Sequence, residues 1–285
     1  YKLLVFLFFR DYSFFTAPIF LGEDIMNLSI LIPVKDDTRI VNCINSIDEE
    51  VEVVVVMNDP SDEIIDIVSK LQVKSVFLPE ANLSKAYNAG IEAAKYDKIL
   101  LMDSDCIFEK GTIRKLYNGA LNSKLSKGRV VFTYDSLQSK IVSKVREFTT
   151  SDYCNAFSPP LIIDRSLKNE LGYFFNPALI WEEDLDFNAR IAMKRIRIHW
   201  NKGAVIYHPP LRIKNDLKAA FNYGRGHGIG INEGIFQEES LKERVRRLKK
   251  SYKIIKEKKG ILECFYYRIW NFQYQKGIRE ERKGI

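Results

Sequence analysis

Lys98-Ile-Leu-Leu-Met-Asp103-Ser-Asp105 is the stretch from which the rest of this chain can be read. A lone basic residue leads into apolar positions that run straight into two aspartates parted by a serine. Four unbroken apolar residues suit a strand buried on both faces, as in a parallel sheet. Ligands of open α/β sheets bind beyond the carboxyl ends of the strands. Two carboxylates at such an end offer hard oxygen ligands suited to Mg²⁺ or Mn²⁺. The letters alone are weak, since about one Asp-x-Asp is expected by chance in a chain of this length, and a second occurs at Asp184 and Asp186. Position at a buried strand end is what makes Asp103 and Asp105 a candidate metal-diphosphate site, with a solvated turn as the alternative.

Upstream, residues 28–34 read as a buried strand with Pro33 near its end, where a missing N–H does little harm. The polar loop Lys35-Asp36-Asp37-Thr38 follows, and Thr38 is suited to cap a helix through Ile47. Residues 51–57 hold four consecutive valines, a second strand. Asn58-Asp59-Pro60-Ser61-Asp62 then turns the chain into a helix carrying Ile64, Ile65, Ile67, Val68 and Leu71. A strand at 74–78 and a helix at 84–95 complete the approach. Four strands alternating with three helices predict a parallel α/β sheet. Asp36 or Asp37 after the first strand, and Asn58 or Asp59 after the second, are placed to meet a base and ribose, although such residues also favour turns by themselves. No Gly-x-Gly-x-x-Gly follows the first strand and no Walker sequence occurs, which disfavours a dinucleotide fold or a P-loop.

Taken together, Ser29-Ile-Leu-Ile-Pro-Val, then Val-Val-Met-Asn58-Asp59-Pro-Ser, then Asn82-Leu-Ser-Lys85-Ala-Tyr-Asn88-Ala-Gly90-Ile, then Leu-Leu-Met-Asp103-Ser-Asp105 resemble a family 2 glycosyltransferase of the GT-A fold. The resemblance implies an α/β, Rossmann-like, mostly parallel sheet flanked by helices. It also implies a metal-dependent enzyme of hexosyltransferase type, moving a sugar from a UDP- or GDP-linked donor to an acceptor hydroxyl with inversion. On this basis Asp105 is the direct ligand of Mn²⁺ or Mg²⁺, and Asp103 contacts metal or ribose. Pro33, Asp37, Asn58, Asp59, Lys85 and Asp103 become donor-binding candidates. Asn58-Asp59 stands where the family has an aspartate pair and Pro60 where it has glycine, which leaves the base open.

Downstream the pattern is less regular. Residues 129–134 read as a strand and 138–148 as a helix. Residues 156–164 carry Pro159-Pro160 where the family often lines the acceptor pocket with small residues. Trp181-Glu182-Glu183-Asp184-Leu185-Asp186 opens a helix to about Lys194, a place where the helix dipole by itself favours carboxylates. The functional alternative is a general base, which must lie within about 3 Å of the acceptor hydroxyl. The family's Glu-Asp pair falls on Glu183 and Asp184, with Asp184 as the base and Glu182 as a nearby competitor. Residues 196–200 and 204–207 read as short strands. His208, closing the second, is either structural or, as in similar enzymes, a metal ligand, and imidazole completes a Mn²⁺ site more readily than a Mg²⁺ one. Residues 221–230 carry four glycines around Arg225 and His227, a run unsuited to a helix interior. It is read as a lid whose Arg225 binds the donor diphosphate, with a hinge as the alternative.

The 285 residues, 46% hydrophobic and 28% charged, have an ordinary globular composition. The expected layout is an extension at 1–25, a GT-A domain at 26–235 and a basic helical tail at 236–285. The net charge of +7 is uneven: residues 241–285 hold 15 Lys and Arg against 5 Glu, so the remainder sums to −3. Leu241, Val245, Leu248, Tyr252 and Ile255 recur at spacings of four and three, an amphipathic helix, and Phe265, Tyr266, Tyr267, Trp270 and Phe272 follow. A basic face beside aromatics predicts contact with a membrane surface, with packing on the body or on a second copy as the alternative. Nucleic acid is disfavoured, since no binding motif accompanies the charge.

Four scattered cysteines without a Cys-x-x-Cys pair argue against zinc or a disulfide framework. No apolar run reaches the roughly 18 residues that span a bilayer, and the apolar run at residues 3–9 lacks the features of a signal peptide. The expected location is cytoplasmic, peripheral on the inner face of the membrane, with a glycan, lipid-linked or small-molecule acceptor. Two rivals remain. A sugar-1-phosphate nucleotidyltransferase would carry a glycine-rich basic loop after the first strand, which Pro33-Val-Lys-Asp-Asp lacks. The other is an inactive nucleotide-sugar-binding module.

Overall fold

The computed structural model describes residues 26–283, so the extension at 1–25 lies outside the described residues. The first half is the expected alternation: β1 (Leu28–Val34), α1 (Ile40–Asn45), β2 (Glu52–Asn58), α2 (Asp62–Ser69), β3 (Lys74–Leu78), α3 (Leu83–Ala93) and β4 (Lys98–Leu101). Next come β5 (Ile107–Phe108), α4 (Thr112–Ala120), β6 (Leu125–Phe132), α5 (Leu137–Thr150), β7 (Leu161–Asp164), α6 (Leu167–Leu171), α7 (Glu183–Met193) and β8 (Ile198–His208). Three helices, α8 (Ile213–Asn232), α9 (Leu241–Lys258) and α10 (Ile261–Lys283), end the described chain.

The strands form one sheet in the order β3-β2-β1-β4-β7-β6-β8-β5. β1 pairs in parallel with β2 and β4, β2 with β3, and β6 with β8. β7 is antiparallel to both β4 and β6, and β5 to β8. Two reversals cancel, so β6 and β8 point the same way as β4. The carboxyl ends of β1, β2, β4 and β8 therefore share one edge, the edge where ligands of such sheets bind.

Alternation along the strands sorts the core into two layers. Ile30, Ile32, Val55 and Leu100 pack with Ile40, Ile64 and Leu116 of α1, α2 and α4. Leu31, Val54, Val56 and Ile99 pack on the other face with Tyr87 and Ile91 of α3 and Phe187 and Ile191 of α7. Burial on both faces is why these strands read as unbroken apolar runs. Gly90 lets α3 approach closely, because a Cβ there would stand 2.2 Å from Leu31 Cδ1.

Several local expectations are corrected. Thr38 does not cap α1; Arg39 is the N-cap residue and makes no side-chain cap bond. Asp37 Oδ1 takes the Arg39 N–H at 3.0 Å instead, a local turn that displaces the helix start. The two short strands expected at 196–207 are one strand, β8. Its pairing steps from Lys127↔Trp200 to Arg129↔Val205, so the extra residues bulge without ending it.

Residues 221–230, expected as a glycine lid, lie inside the 20-residue helix α8. Local propensity is overridden there by packing. A Cβ on Gly224 would lie 1.9 Å from the Tyr274 carbonyl oxygen, and one on Gly277 would lie 2.1 Å from the Phe221 carbonyl oxygen. Gly224 and Gly277 are the surfaces on which α8 and α10 meet backbone to backbone, while Gly226 makes room for Trp181 and Gly230 for Phe236.

The tail thus packs on the body. Val142 and Val145 of α5, Ile255 of α9 and Tyr266 and Tyr267 of α10 form a third apolar cluster, with Trp270 against it. Tyr266, Tyr267 and Trp270, expected among the membrane-facing aromatics, face inward. Phe265 and Phe272 remain exposed. Among the described residues, no helix is long and apolar enough to cross a membrane.

Candidate active site

Two cavities open along the shared strand edge. The smaller, about 690 Å³, is lined by the ends of β1 and β2 and the loop after β1, including Pro33, Lys35, Asp37, Arg39, Asn58 and Ser104. Asn58 Oδ1 accepts from the Asn82 N–H at 2.9 Å, which ties the end of β2 to the start of α3. Arg39 Nε donates to Asp37 Oδ1 at 2.8 Å. Burial works against ionisation of Asp37, yet Arg39 holds its carboxyl below the ordinary carboxylate range. Asp59, in the left-handed region at φ 55°, pairs with Lys35. Lys85 pairs with Glu80 at 3.1 Å and does not line this cavity.

The larger cavity, about 870 Å³, has Asp103, Lys127, Asp184 and His208 on its body side and Tyr223, His227, Trp270 and Tyr274 of α8 and α10 on the other. Asp103 and Ser104, adjacent in sequence, divide the two spaces: Asp103 faces the larger and Ser104 the smaller.

Asp105 and His208 converge although one follows β4 and the other ends β8, with Nε2 of His208 3.3 Å from Asp105 Oδ2. His208 Nδ1 lies 2.7 Å from the Pro209 carbonyl oxygen. A carbonyl can only accept, so the neutral ring carries its proton on Nδ1 and presents an Nε2 lone pair to Asp105. Burial lowers the His208 pKa below its ordinary value, with Asp105 pulling the other way. Two acceptors facing one another are satisfied by a cation, and a carboxylate oxygen beside an imidazole nitrogen is a donor set suited to Mn²⁺. The Cys106 Sγ joins these two atoms within 4.8 Å, but burial pushes its thiol well above the ordinary cysteine range, so it stands by as a thiol. Asp103, expected as a second metal carboxylate, is not in this group. Arg39 also reaches Asp105, at 3.4 Å.

Asp103 belongs to a different cluster. Lys127 is 1% exposed on β6 and level with Leu101 across β7, two residues short of Asp103. Its Nζ donates to the Phe157 carbonyl and, at 2.7 Å, to that of Pro159. Burial lowers its pKa to about 7, against the pull of Asp184 and Asp103. Burial, then Asp105 and Asp184, push the Asp103 carboxyl up to about 7. One buried amino group thus donates to two carbonyls while its charge acts on two carboxyls.

Asp184 sits in the first turn of α7, whose N-cap Glu182 takes a left-handed conformation at φ 69°. Burial first and the Glu182 charge second push the Asp184 pKa to about 7, within the range of a working general base. Glu183 is buried too, and burial with the neighbouring Asp184 holds its carboxyl well above the ordinary range. Asp184 and Glu182 line the cavity whereas Glu183 does not. Glu182 faces the tail side, where its charge acts on the Tyr274 hydroxyl and its Oε2 lies 3.8 Å from His227 Nδ1. Asp186, of the second Asp-x-Asp, is a structural residue that accepts from Arg190 Nε at 3.0 Å.

Arg225, expected on the donor, does not join either cavity. It lies on helix α8 with its Nε 2.9 Å from Glu281 Oε2 of α10. The residues that pattern did not single out are Lys127, Arg39, Tyr87 and Arg146. Tyr87 lies beneath Asp103 and meets Ser158 Oγ at 3.1 Å. Arg146 lines the larger cavity and donates to the Tyr223 hydroxyl at 3.3 Å. Lys127 had no signal in the pattern: it stands between Ser126 and Gly128 in β6, which begins at Leu125, ahead of the strand expected at 129–134.

The fold has relatives among solved structures. S. aureus TarS residues 1–349 in complex with UDP superposes with a TM-score of 0.52 at 17% identity, covering 90% of this chain and 92% of that one. The same protein with UDP-GlcNAc gives 0.52 at 16% identity and the same coverage. GalNAc-T7 with UDP, GalNAc and Mn²⁺ gives 0.51 at 15% identity, covering 72% of this chain and 48% of that one. These likenesses are of fold. A search of curated proteins returned no match. The family model "Glycosyl transferase family 2" matches residues 29–171, from β1 through α6, and with half of its length matched the chain belongs to that family.

Proposed function

We propose that the chain transfers a sugar from a UDP-sugar to an acceptor hydroxyl, with inversion, and with a divalent cation at Asp105 and His208. The observation that carries this reading is the pair of cavities divided at Asp103-Ser104. One has the polar rim for a nucleoside; the other has a buried carboxyl poised near neutrality. The fold relatives solved with UDP and UDP-GlcNAc support a uridine donor. GalNAc-T7, solved with Mn²⁺, supports the metal.

In this scheme the nucleoside lies over Pro33, Asp37 and Asn58, with Lys35 and Arg39 bringing positive charge to the donor side. Asp105 and His208 hold the cation, which when bound supplies Lewis acidity against the charge that collects on the departing nucleoside diphosphate. Asp184 takes the acceptor proton as the hydroxyl oxygen attacks the anomeric carbon from the face opposite the leaving group. Lys127 keeps Asp184 and Asp103 usable by balancing their charge in a buried setting. Glu182, the N-cap residue facing His227, positions the start of α7 and so the base.

The body would work at a membrane surface through the outer face of α10, where exposed Ile261, Leu262, Phe265 and Phe272 alternate with exposed Arg268 and Lys276. This is the composition of an interfacial helix.

Product formation from a panel of UDP- and GDP-sugars, with and without Mn²⁺, tests the reading. UDP release that depends on Mn²⁺ and disappears in Asp184→Asn, while UDP still binds, is the expected result. Pyrophosphate released from a nucleoside triphosphate and a sugar phosphate would point to nucleotidyl transfer instead.

A further inference from the structure

The larger cavity holds a cation whose hydrogen-bonding capacity is largely unspent. Arg146, Thr149 and Thr150 of α5 line it, at the spacings of three and four that put residues on one face of a helix. A guanidinium carries several N–H donors in a planar fork. Arg146 makes one hydrogen bond among the described residues, from Nη2 to the Tyr223 hydroxyl at 3.3 Å, and its enclosed Nε has no hydrogen-bond partner. Buried donors are ordinarily satisfied, so a guanidinium left this open points to a group that arrives from outside. Lys127, the other cation on the body side, already donates to the carbonyls of Phe157 and Pro159.

The tail helices hold Arg146 in place. Its Nε lies 3.6 Å from Asp216 Oδ1 of α8, and Asp216 Oδ2 accepts from the Tyr266 hydroxyl of α10. Asp216 and Tyr266 are buried and neither lines the cavity, so they fix the guanidinium without filling the space it serves. The Arg146 charge acts on both Asp184 and His208, which line the same cavity.

A nucleoside in the smaller cavity and a base in the larger put the donor's diphosphate across the divide at Asp103 and Ser104. Its terminal phosphate, where negative charge collects as the sugar leaves, enters the larger cavity beside His208. A planar guanidinium matches two oxygens of such a phosphate. Resting on the UDP-sugar reading above, we propose that Arg146 binds the terminal phosphate of the nucleoside diphosphate and that Asp216, fixed by Tyr266, is its positioning residue. The tail helices then complete the donor site from behind instead of only covering it.

Calorimetry on the full chain with Mn²⁺ compares UDP with UMP, which lacks that phosphate. UDP should bind at least about tenfold more tightly, the scale of one hydrogen bond to a charged group. Arg146→Gln should erase most of this preference and leave UMP affinity unchanged, so that UMP reports an intact fold. Arg146→Lys keeps a charge for Asp216 but lacks the fork; it should retain only part of the preference, and it carries the test if Arg146→Gln does not fold. Asp216→Asn should lower the preference with UMP affinity again unchanged, whereas a merely structural role would weaken both nucleotides together. A wild type that does not prefer UDP, a preference that survives both Arg146 substitutions, or equal loss of UMP and UDP in Asp216→Asn overturns the proposal. Pyrophosphate, titrated in place of the nucleotides, separates this site from the wider reading. Failure of both nucleotides to bind, with pyrophosphate bound by the wild type and lost in Arg146→Gln, counts against the uridine donor alone. Pyrophosphate that ignores the substitution overturns the Arg146 site.

Discussion

His208 Nε2 lies 3.3 Å from Asp105 Oδ2, and both atoms offer lone pairs because the His208 proton is committed to the Pro209 carbonyl. A cation between them removes the repulsion and binds only the folded chain. Mn²⁺ at a hundred times its dissociation constant should therefore add about 2.7 kcal/mol to stability. The melting temperature should rise with Mn²⁺ in the wild type, and the rise should vanish in His208→Ala and in Asp105→Ala. An undiminished Mn²⁺ response in both variants would remove these residues from the metal site.

Burial and the Glu182 charge hold the Asp184 carboxyl at about 7, above its ordinary 3.8. A base works when deprotonated, so turnover should climb as pH rises through about 7 and then level off. Asp184→Asn should lower kcat by roughly 10²–10⁴, the usual reach of a positioned base. The same shift has a stability consequence of fixed sign. Between the ordinary carboxylate range and about 7 the folded chain holds more protons than the unfolded one, so stability falls as pH rises through that window. The asparagine variant should lose the Asp184 share of this slope and keep the share of Asp103, whose carboxyl is also held at about 7. A pH–rate profile that is flat between 5.5 and 8.5, taken as roughly the range that brackets a pKa near 7, would be incompatible with the assignment.

The Lys127 charge acts on both Asp103 and Asp184, and it lowers the Asp184 pKa from where burial alone would set it. Lys127→Met keeps the side chain's length and apolar stem but removes the charge. Two carbonyls lose a buried donor, at about 1–3 kcal/mol for each group left unpaired, and the two buried carboxyls lose a neighbouring positive charge. Any folded Lys127→Met enzyme should show its acid limb displaced to higher pH. Displacement to lower pH, or none, would show that Lys127 acts only on packing.

Much of the first half was legible because one physical constraint acts there. Strands covered on both faces must be apolar throughout, so β1, β2 and β4 announce themselves, and their polar ends mark the ligand edge. His208 was legible for the same reason, as the polar residue closing a strand. Lys127 was not, because its partners are the carbonyls of Phe157 and Pro159 and carboxyls on other elements, none within reach in sequence. The glycines of α8 misled for a related reason. Their local preference is against helix, and what reverses it is packing far from them in sequence, with the α10 backbone about fifty residues on at Gly224 and Trp181 at Gly226. The pairing of Arg225 with Glu281 follows from that helix contact and has no local signature.

Gly224 gives this packing a quantitative test. In an isolated helix, Gly→Ala is favourable by about 1 kcal/mol. Here the added Cβ would stand 1.9 Å from the Tyr274 carbonyl oxygen, which is backbone and cannot swing aside. Overpacking of this sort costs about 1–3 kcal/mol, so the clash should win and Gly224→Ala should be less stable to urea than wild type. Gly203→Ala is the control, since its Cβ would meet only Asn201 Oδ1 at an ordinary 3.5 Å. A stabilised Gly224→Ala variant would mean that α8 and α10 do not meet as described.

The outer face of α10 separates a membrane contact from mere surface charge. Phe265 and Phe272 are 64% and 61% exposed, and Arg268 and Lys276 lie on the same face of the helix. Basic residues near an anionic leaflet contribute about 1 kcal/mol each, and the aromatics add burial at the headgroup boundary. The full chain should co-sediment with vesicles containing anionic phospholipid and much less with zwitterionic ones. Raised salt should weaken the association through the basic residues, while Phe265→Ser with Phe272→Ser should weaken it at low salt as well. The two perturbations report different forces, and only a surface that uses both responds to both. Equal sedimentation of wild type and double variant would reduce the contact to charge alone, and absence of sedimentation with anionic vesicles would end the membrane reading.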